Sequence, residues 1–546
     1  MFARVRKSGH YQYLQIVENH KEKGKVKQQV IATVGRLDQL QEKQRVETLI
    51  RSLSRFSEQA LLILSGKSDI SADAKKIGPP LIFERLWQQT GIKAALQTVL
   101  TGRKFEFDVE RAVFVTVLHR LMVSGSDRSC SCWQRDYILD GAQELSLHHL
   151  YRAMSFLGEE LENQKGATPF SPRCNKDLIE EHIFRHRRDL FTKLDLVFFD
   201  TTSIYFEGGG GDTMGRRGFS KDHRPDLKQM VVGAVIDDKG QPICCEMWPG
   251  NTTDVKTLLP IVAKLQQRFN IERVCIVADR GMISAETIRQ LENPENTIPY
   301  ILGTRMRKVK EIRNVVLSHP GRYKEVRPES CDGKDPEPLK VKQVEHNDHR
   351  YIVCYNPRQA RKEARDRDVI LTALKEQIKN GAKSLVGNKG YRKYLTIAKD
   401  SVSIDEEKVR NESRFDGKWV LATNTKMSAE KVALNYKELW QVEKVFRDIK
   451  SLLNTRPIFH QRDRTIRGHV FCSFLALVLR KELERQLNLP GHVLEWADIK
   501  QDLKALQQVT IEENGRRMAI RSKCEGVCGK VFQAVGVAMP PTIKEL

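Results

Sequence analysis

The stretch Leu194 to Tyr205, LDLVFFDTTSIY, constrains the fold of this chain more than any other. Its apolar and β-branched residues read as a buried strand, yet the run carries a carboxylate, Asp200. A buried carboxylate is costly unless it is paired or meets a cation. The strand therefore implies a sheet that holds Asp200 rigidly for a purpose other than packing.

The segments that follow define the sheet. KQMVVGAVID and PICCEMWPG read as two more strands, joined by the turn Asp238-Lys239-Gly240. A helical stretch runs from Asp254 to Phe269, with Pro260 near its start. ERVCIVAD is a compact buried strand, Ser284 to Leu291 a helix with Ser284 as N-cap, and PYILGTR a further strand. The order β-β-β-α-β-α-β predicts an α/β, ribonuclease-H-like catalytic core with a mixed sheet.

Other regions surround that core. Residues 1–75 read as a β-hairpin (HYQYLQIVE and KQQVIATVG about the turn NHKEKGK) plus a helical pattern from Asp38 to about Ser65, a candidate DNA contact. Residues 76–190 read as a helical domain, because PLIFERLWQQTG, ERAVFVTVLHRLMVSG and LSLHHLYRAMSFLGEELE repeat apolar residues at helical spacing; its place before the core makes it a candidate for DNA binding, with no recognition helix marked. The core's first part spans 191–307. Residues 308–425 are charged and contain short strands (HRYIVCYN, KYLTIAK, KWVLATN) about a helical piece near Asp366 to Ile378. They read as a separate β-rich insertion. Residues 426–488 complete the core with a long helix, Ser428 to Leu453, and an apolar helix from Thr465 to about Gln486. Residues 489–546 form a tail.

Charge narrows the partner. Lys and Arg outnumber Asp and Glu by 92 to 70, a net charge of +22, which suits a polyanion such as nucleic acid. Eleven scattered cysteines point to a reducing compartment. Val470 to Leu479 is too short to span a bilayer, and MFARVRKSGHYQYLQI lacks the apolar region of a secretory signal. The expectation is a cytoplasmic, nucleoid-associated protein with no membrane partner.

Asp279 ends the strand VCIVAD and precedes the turn Arg280-Gly281. In the fold expected here the first and fourth strands adjoin, so Asp200 and Asp279 face each other at one sheet edge. Such oxygen ligands, poor in Cys and His neighbours, suit Mg²⁺, with Mn²⁺ as a substitute. The helix NYKELWQVEKVFRDIKSLL supplies a third carboxylate. Leu439, Val442, Phe446, Ile449 and Leu453 form its apolar stripe, and Tyr436, Glu443 and Lys450 line one border over roughly 21 Å. Glu207, Asp212, Asp222, Asp226, Glu246 and Asp254 compete for the role, with Asp254 also readable as a helix cap. The run Gly208 to Gly211, followed by Arg216, Arg217, Lys221 and His223, reads either as a flexible loop that closes on DNA or as a surface hairpin. No Gly-Lys-Ser/Thr follows, so it is not a P-loop.

Taken together, FFDTTSIYFE, KDHRPDLKQMVVGAVID, PGNTTD, VADRG, YKELWQVEKVFRDIKSLLNTRPIFH and IRGH resemble the DDE transposases of bacterial insertion sequences. The resemblance covers roughly residues 1–485. It is to the branch with a Tyr-x2-Arg-x3-Glu-x6-Lys signature and a β-rich insertion. It implies that Asp200, Asp279 and Glu443 are the catalytic, metal-binding triad. It also implies that Tyr436 and Lys450 contact DNA near the cleaved end. Leu439 stands at the signature Arg position, so that phosphate contact is missing or supplied elsewhere, with Arg447 as the candidate. The implied chemistry is two-metal phosphoryl transfer, first to water and then to target DNA. The implied partners are double-stranded DNA, as terminal inverted repeats and target, and a second copy of the chain in the synaptic complex. Two other readings fit the same residues: another ribonuclease-H-like nuclease, and a DNA-binding protein of this fold without cleavage activity.

Overall fold

The computed structural model describes residues 2–22, 25–42, 71–165, 167, 171–187, 196–269, 271, 274–295, 297–327, 338–379, 392–397, 402–452, 455–487, 494–513 and 516–546. The chain divides into two compact units. One comprises residues 1–75, 506–523 and 540–546, and the other residues 76–505 and 524–539.

In the first unit β1 (Phe2–Ser8), β2 (Tyr11–Glu22) and β3 (Lys25–Arg36) form an antiparallel sheet in that order. The expected hairpin is therefore a three-stranded meander. A short helix, Leu37–Glu42, follows. The rest of the helix expected as far as Ser65 lies outside the described residues. A second sheet joins β4 (Ser71–Lys76) to strands Gln507–Glu513, Arg516–Arg521 and Ile543–Glu545 of the C-terminal segment.

The second unit begins with helices Gly78–Gln89, Ile92–Leu100, Val109–Met122, Asp127–Trp133, Leu147–Leu157 and Asn175–Arg187. Val109–Met122 is buried along its whole length, and its start is fixed by Asp108, which accepts from the Arg111 N–H at 3.0 Å. The apolar helix near the end of the unit, Asp463–Leu487, lies against it. Arg120 ties the two together by donating to the His469 carbonyl and ring and to Ser473.

The core sheet is built from β5 (Leu196–Tyr205), β6 (Gln229–Asp237), β7 (Pro242–Pro249), β8 (Cys275–Ala278), β9 (Tyr300–Gly303), β10 (Lys324–Val326), β11 (Leu339–His346), β12 (His349–Tyr355) and β15 (Lys418–Thr423). A separate hairpin, β13 (Leu395–Ile397) and β14 (Val402–Ile404), has its own small core about Leu374 and Tyr394. The nine strands run β10-β11-β12-β15-β9-β8-β5-β6-β7. β5 pairs antiparallel with β6 and parallel with β8, and β8 pairs parallel with β9. That half of the sheet has the order expected for a ribonuclease-H-like core. Val197 and Phe199 on one face of β5, and Phe198 on the other, are buried, as a central strand requires.

The other half corrects an expectation. Four strands from residues 308–425 do not form a body apart from the core, because β15 pairs antiparallel with β9 and extends its sheet. The cause is an edge: β9 would otherwise present unpaired backbone groups, and β15 covers them. Between β12 and β15 lie the long helix Pro357–Lys379 and the β13–β14 hairpin.

Candidate active site

Strand register brings the first two carboxylates together. The parallel pairing of β5 with β8 matches Phe199 to Ala278. The next residues are Asp200 and Asp279, on neighbouring strands spaced about 4.8 Å apart. Glu443 comes from the helix Trp440–Arg447. Asp200, Asp279, Glu443, Tyr436 and Leu439 line one cleft of about 390 Å³, with Gly303 and Thr304 from the end of β9.

Tyr436 is fixed in the cleft wall by a hydrogen bond. Its hydroxyl donates to Asp279 Oδ1 at 3.2 Å. Burial and the adjoining Asp279 push its proton affinity far up, so the phenol stays neutral and a donor. A Cβ on Gly303 would lie 2.3 Å from that hydroxyl, so only glycine admits it. Arg305 braces the turn after Asp279 by donating to the carbonyls of Arg280 and Gly281.

Asp200 is held as tightly. Oδ1 accepts from the Thr201 N–H at 2.7 Å. Burial raises its carboxyl to about 6, aided by Asp279 and Asp254 and opposed by Lys221 and the Thr201 N–H. Lys221 Nζ lies 4.0 Å from Asp200 and 3.3 Å from Asp254, and donates to the Thr201 carbonyl and hydroxyl at 2.7 and 2.9 Å. Thr201 in turn donates to Asp254 at 2.7 Å. Asp254 thus joins the site as a fourth carboxylate. It does not serve as the helix cap; Thr253 holds that position in the short turn Asp254–Lys256. No local pattern in GNTTD marks this role, because the loop after β7 returns to Asp200 only in three dimensions.

The expected long helix is interrupted. It runs from Ala429 to Lys437, turns at Glu438-Leu439, resumes from Trp440 to Arg447, and ends in a wider turn, Asp448–Leu452. Tyr436, Glu443 and Lys450 therefore fall on three successive helical segments. Lys450 donates to Asp222 at 2.7 Å. Arg447 is exposed and is not among the residues lining the cleft. Leu439 is buried. The glycine run is not a free loop either. Thr213 donates its N–H and hydroxyl to Asp463 at 3.0 and 2.6 Å, and the Glu207 N–H donates to the Ile458 carbonyl. Of the competing carboxylates, Asp226 pairs with Arg224 at the surface, and Glu246 is buried among Lys176, Lys264 and Arg268.

Among the described residues, the tightest groups of three metal-type ligands lie away from the cleft. They are Asp127 with His460 and His469, and Asp177 with Glu180 and Glu246. Both are already occupied by cationic side chains: Arg120 in the first, and Lys176 and Arg268 in the second. The cleft differs, since among the described residues Lys221 is the cation within 4.0 Å of Asp200, although Arg280, Arg307 and Lys418 also line the cleft. Its all-oxygen donors and the raised Asp200 carboxyl fit a site that takes up divalent cations.

Residues 192–479, more than half of the chain, match the family described as Transposase DDE domain. The chain is a DDE transposase. Residues 3–68 match the N-terminal domain of IS1634 family transposases, which places it with the transposases of insertion sequences. Comparison with curated proteins gives no match. One solved structure similar to it is a piggyBac transposase synaptic complex with hairpin DNA, at 10% identity over 78% of this chain and 79% of that one, with a TM-score of 0.39. No helix among the transposase's described residues is long and apolar enough to cross a membrane.

Proposed function

We propose that this transposase binds the terminal inverted repeats of its element, cleaves DNA there and joins the freed ends to target DNA. The observation that carries the reading is the convergence of Asp200, Asp279 and Glu443, far apart in sequence, on one cleft. These three carboxylates are the residues to hold Mg²⁺ or Mn²⁺. Bound there, such cations supply Lewis-acid activation of the attacking oxygen and stabilisation of the leaving oxygen.

The chain's own groups do the rest. The β5–β8 register holds Asp200 and Asp279 at fixed separation. Tyr436 donates to Asp279 and keeps one of its oxygens oriented. Lys221 and Thr201 restrain Asp254 beside Asp200 and limit repulsion among the carboxylates. Glu443, exposed on the helix Trp440–Arg447, completes the set in the same cleft. The excess positive charge, +22 over the chain, favours the DNA backbone. Two ends must be brought together for joining, so a homodimer is the assembly this chemistry asks for.

The test is a cleavage assay on a duplex carrying the inverted repeat that borders the chain's own gene. With Mg²⁺ the parent should nick the repeat end, whereas Asp200→Ala and Glu443→Gln should bind without cutting. Equal cutting by Asp200→Ala would refute the assignment. Binding without cutting by all three proteins would favour the reading as a non-cleaving DNA-binding protein.

A further inference from the structure

The structure brings Arg456 beside Lys450. Both cations meet the same oxygen, Oδ1 of Asp222, Lys450 at 2.7 Å and Arg456 through Nη1. Asp222 is deeply buried, at 5% side-chain exposure, and Lys450 nearly so at 12%, while Arg456 keeps 30%. The other oxygen of Asp222, Oδ2, is buried without a hydrogen-bond partner. One carboxylate thus serves two cations and leaves the group with an unbalanced positive charge. The Arg456 guanidinium is also braced 5.8 Å from the centre of the Tyr205 ring, at the end of the strand that carries Asp200. Lys221, the chain neighbour of Asp222, reaches Asp200 itself. The loop residues Lys221 and Asp222 therefore connect the metal-type carboxylates on one side with Lys450 and Arg456 on the other.

We propose that Lys450 and Arg456, clipped together by Asp222, form a fork that binds one backbone phosphate of DNA beside the cleft. Arg456 is the binding residue new to this site, and Asp222 is a positioning residue that acts through it. Each cation spends one donor on Asp222. Lys450 keeps two N–H donors and Arg456 keeps the rest of its guanidinium, the donor geometry a phosphate accepts. This assignment rests on the reading of the protein as a DNA-cleaving transposase.

The experiment measures binding of the inverted-repeat duplex against salt concentration, for the parent, Arg456→Ala and Arg456→Lys, with single phosphates replaced in turn by neutral methylphosphonates. Arg456→Ala should bind about 10-fold more weakly and lower the slope of log K against log salt by about 1. One methylphosphonate position should weaken the parent similarly but leave Arg456→Ala unaffected. Arg456→Lys should keep the parent slope, and unchanged melting of this variant separates lost contact from lost folding. A parent that binds and cuts the duplex while Arg456→Ala keeps its slope, or shows additive losses at every methylphosphonate, overturns the fork alone. A parent that neither binds nor cuts the duplex overturns the underlying function as well.

Discussion

Two acidic clusters on the same sheet have opposite fates. Glu246, on β7, lies with Asp177 and Glu180 in a fully buried group closed by Lys176, Lys264 and Arg268. Ser171 donates to Glu246, and the Cys245 N–H to Glu180. Asp200, on β5, lines an open cleft with Asp279, and Lys221 links it to Asp254 beside that cleft. The first cluster joins the helix Asn175–Arg187 to the sheet and to the helix Leu258–Phe269, and spends its charge on itself. On the proposed reading the second keeps its charge for a bound cation. Matching residue types would then serve stability in one place and chemistry in the other, and the distinction lies in how completely each carboxylate is answered.

Substitutions that remove one charge from each cluster should separate the two roles. The largest effect is on activity. Asp279→Asn should reduce cleavage of the inverted-repeat duplex to the level seen without protein, while thermal melting stays near that of the parent. Lys176→Met should act the other way. It strands buried carboxylates, a loss of about 3–5 kcal/mol in stability, read as a fall in the melting midpoint that also lowers the yield of folded protein. If Lys176→Met melted like the parent, the closed cluster would not be the structural element described above.

A smaller effect sharpens the contrast through pH. Asp200 holds its proton more firmly in the folded chain, to about 6, than a free aspartate does. For a carboxyl raised on folding, the stabilising contribution is fully present below the unfolded value, about 4, and is lost as pH rises through about 6. Asp200→Asn should therefore match the parent near pH 4. In metal-free buffer it should then become more stable by about 1–3 kcal/mol at pH 7.5, seen as a higher midpoint in urea. A parent that gains on the variant as pH rises would contradict the burial described for Asp200. The smallest effect is a control outside both clusters. Ser284 accepts the Thr287 N–H at 3.0 Å at the start of the helix Ala285–Leu291. Ser284→Ala should cost about 1 kcal/mol in stability and leave cleavage unchanged.

Much of the cleft was legible because its signals are local. The apolar run about Asp200 and the short strand before Asp279 each declare a buried strand, and the element order implies that they adjoin. Helical periodicity put Glu443 on the border of an apolar stripe, and the family resemblance singled it out. What escaped were features that exist only after the chain folds back. The apolar stripe through Leu439 and Val442 continues without a break, yet the helix turns there, beside a Tyr436 anchored on Asp279. Asp254, Lys221, Asp222 and Arg456 sit in loops whose partners are tens to hundreds of residues away. The strands after residue 308 looked self-contained in composition, since nothing in the short stretch KWVLAT announces which strand it will pair with.

The most direct measurement is to soak crystals of the protein in Mn²⁺ and locate the ion by its anomalous scattering. A peak is expected within coordination reach of Asp200, Asp279 and Glu443, and none among Asp177, Glu180 and Glu246. A peak in the closed cluster with an empty cleft would contradict the proposed metal site.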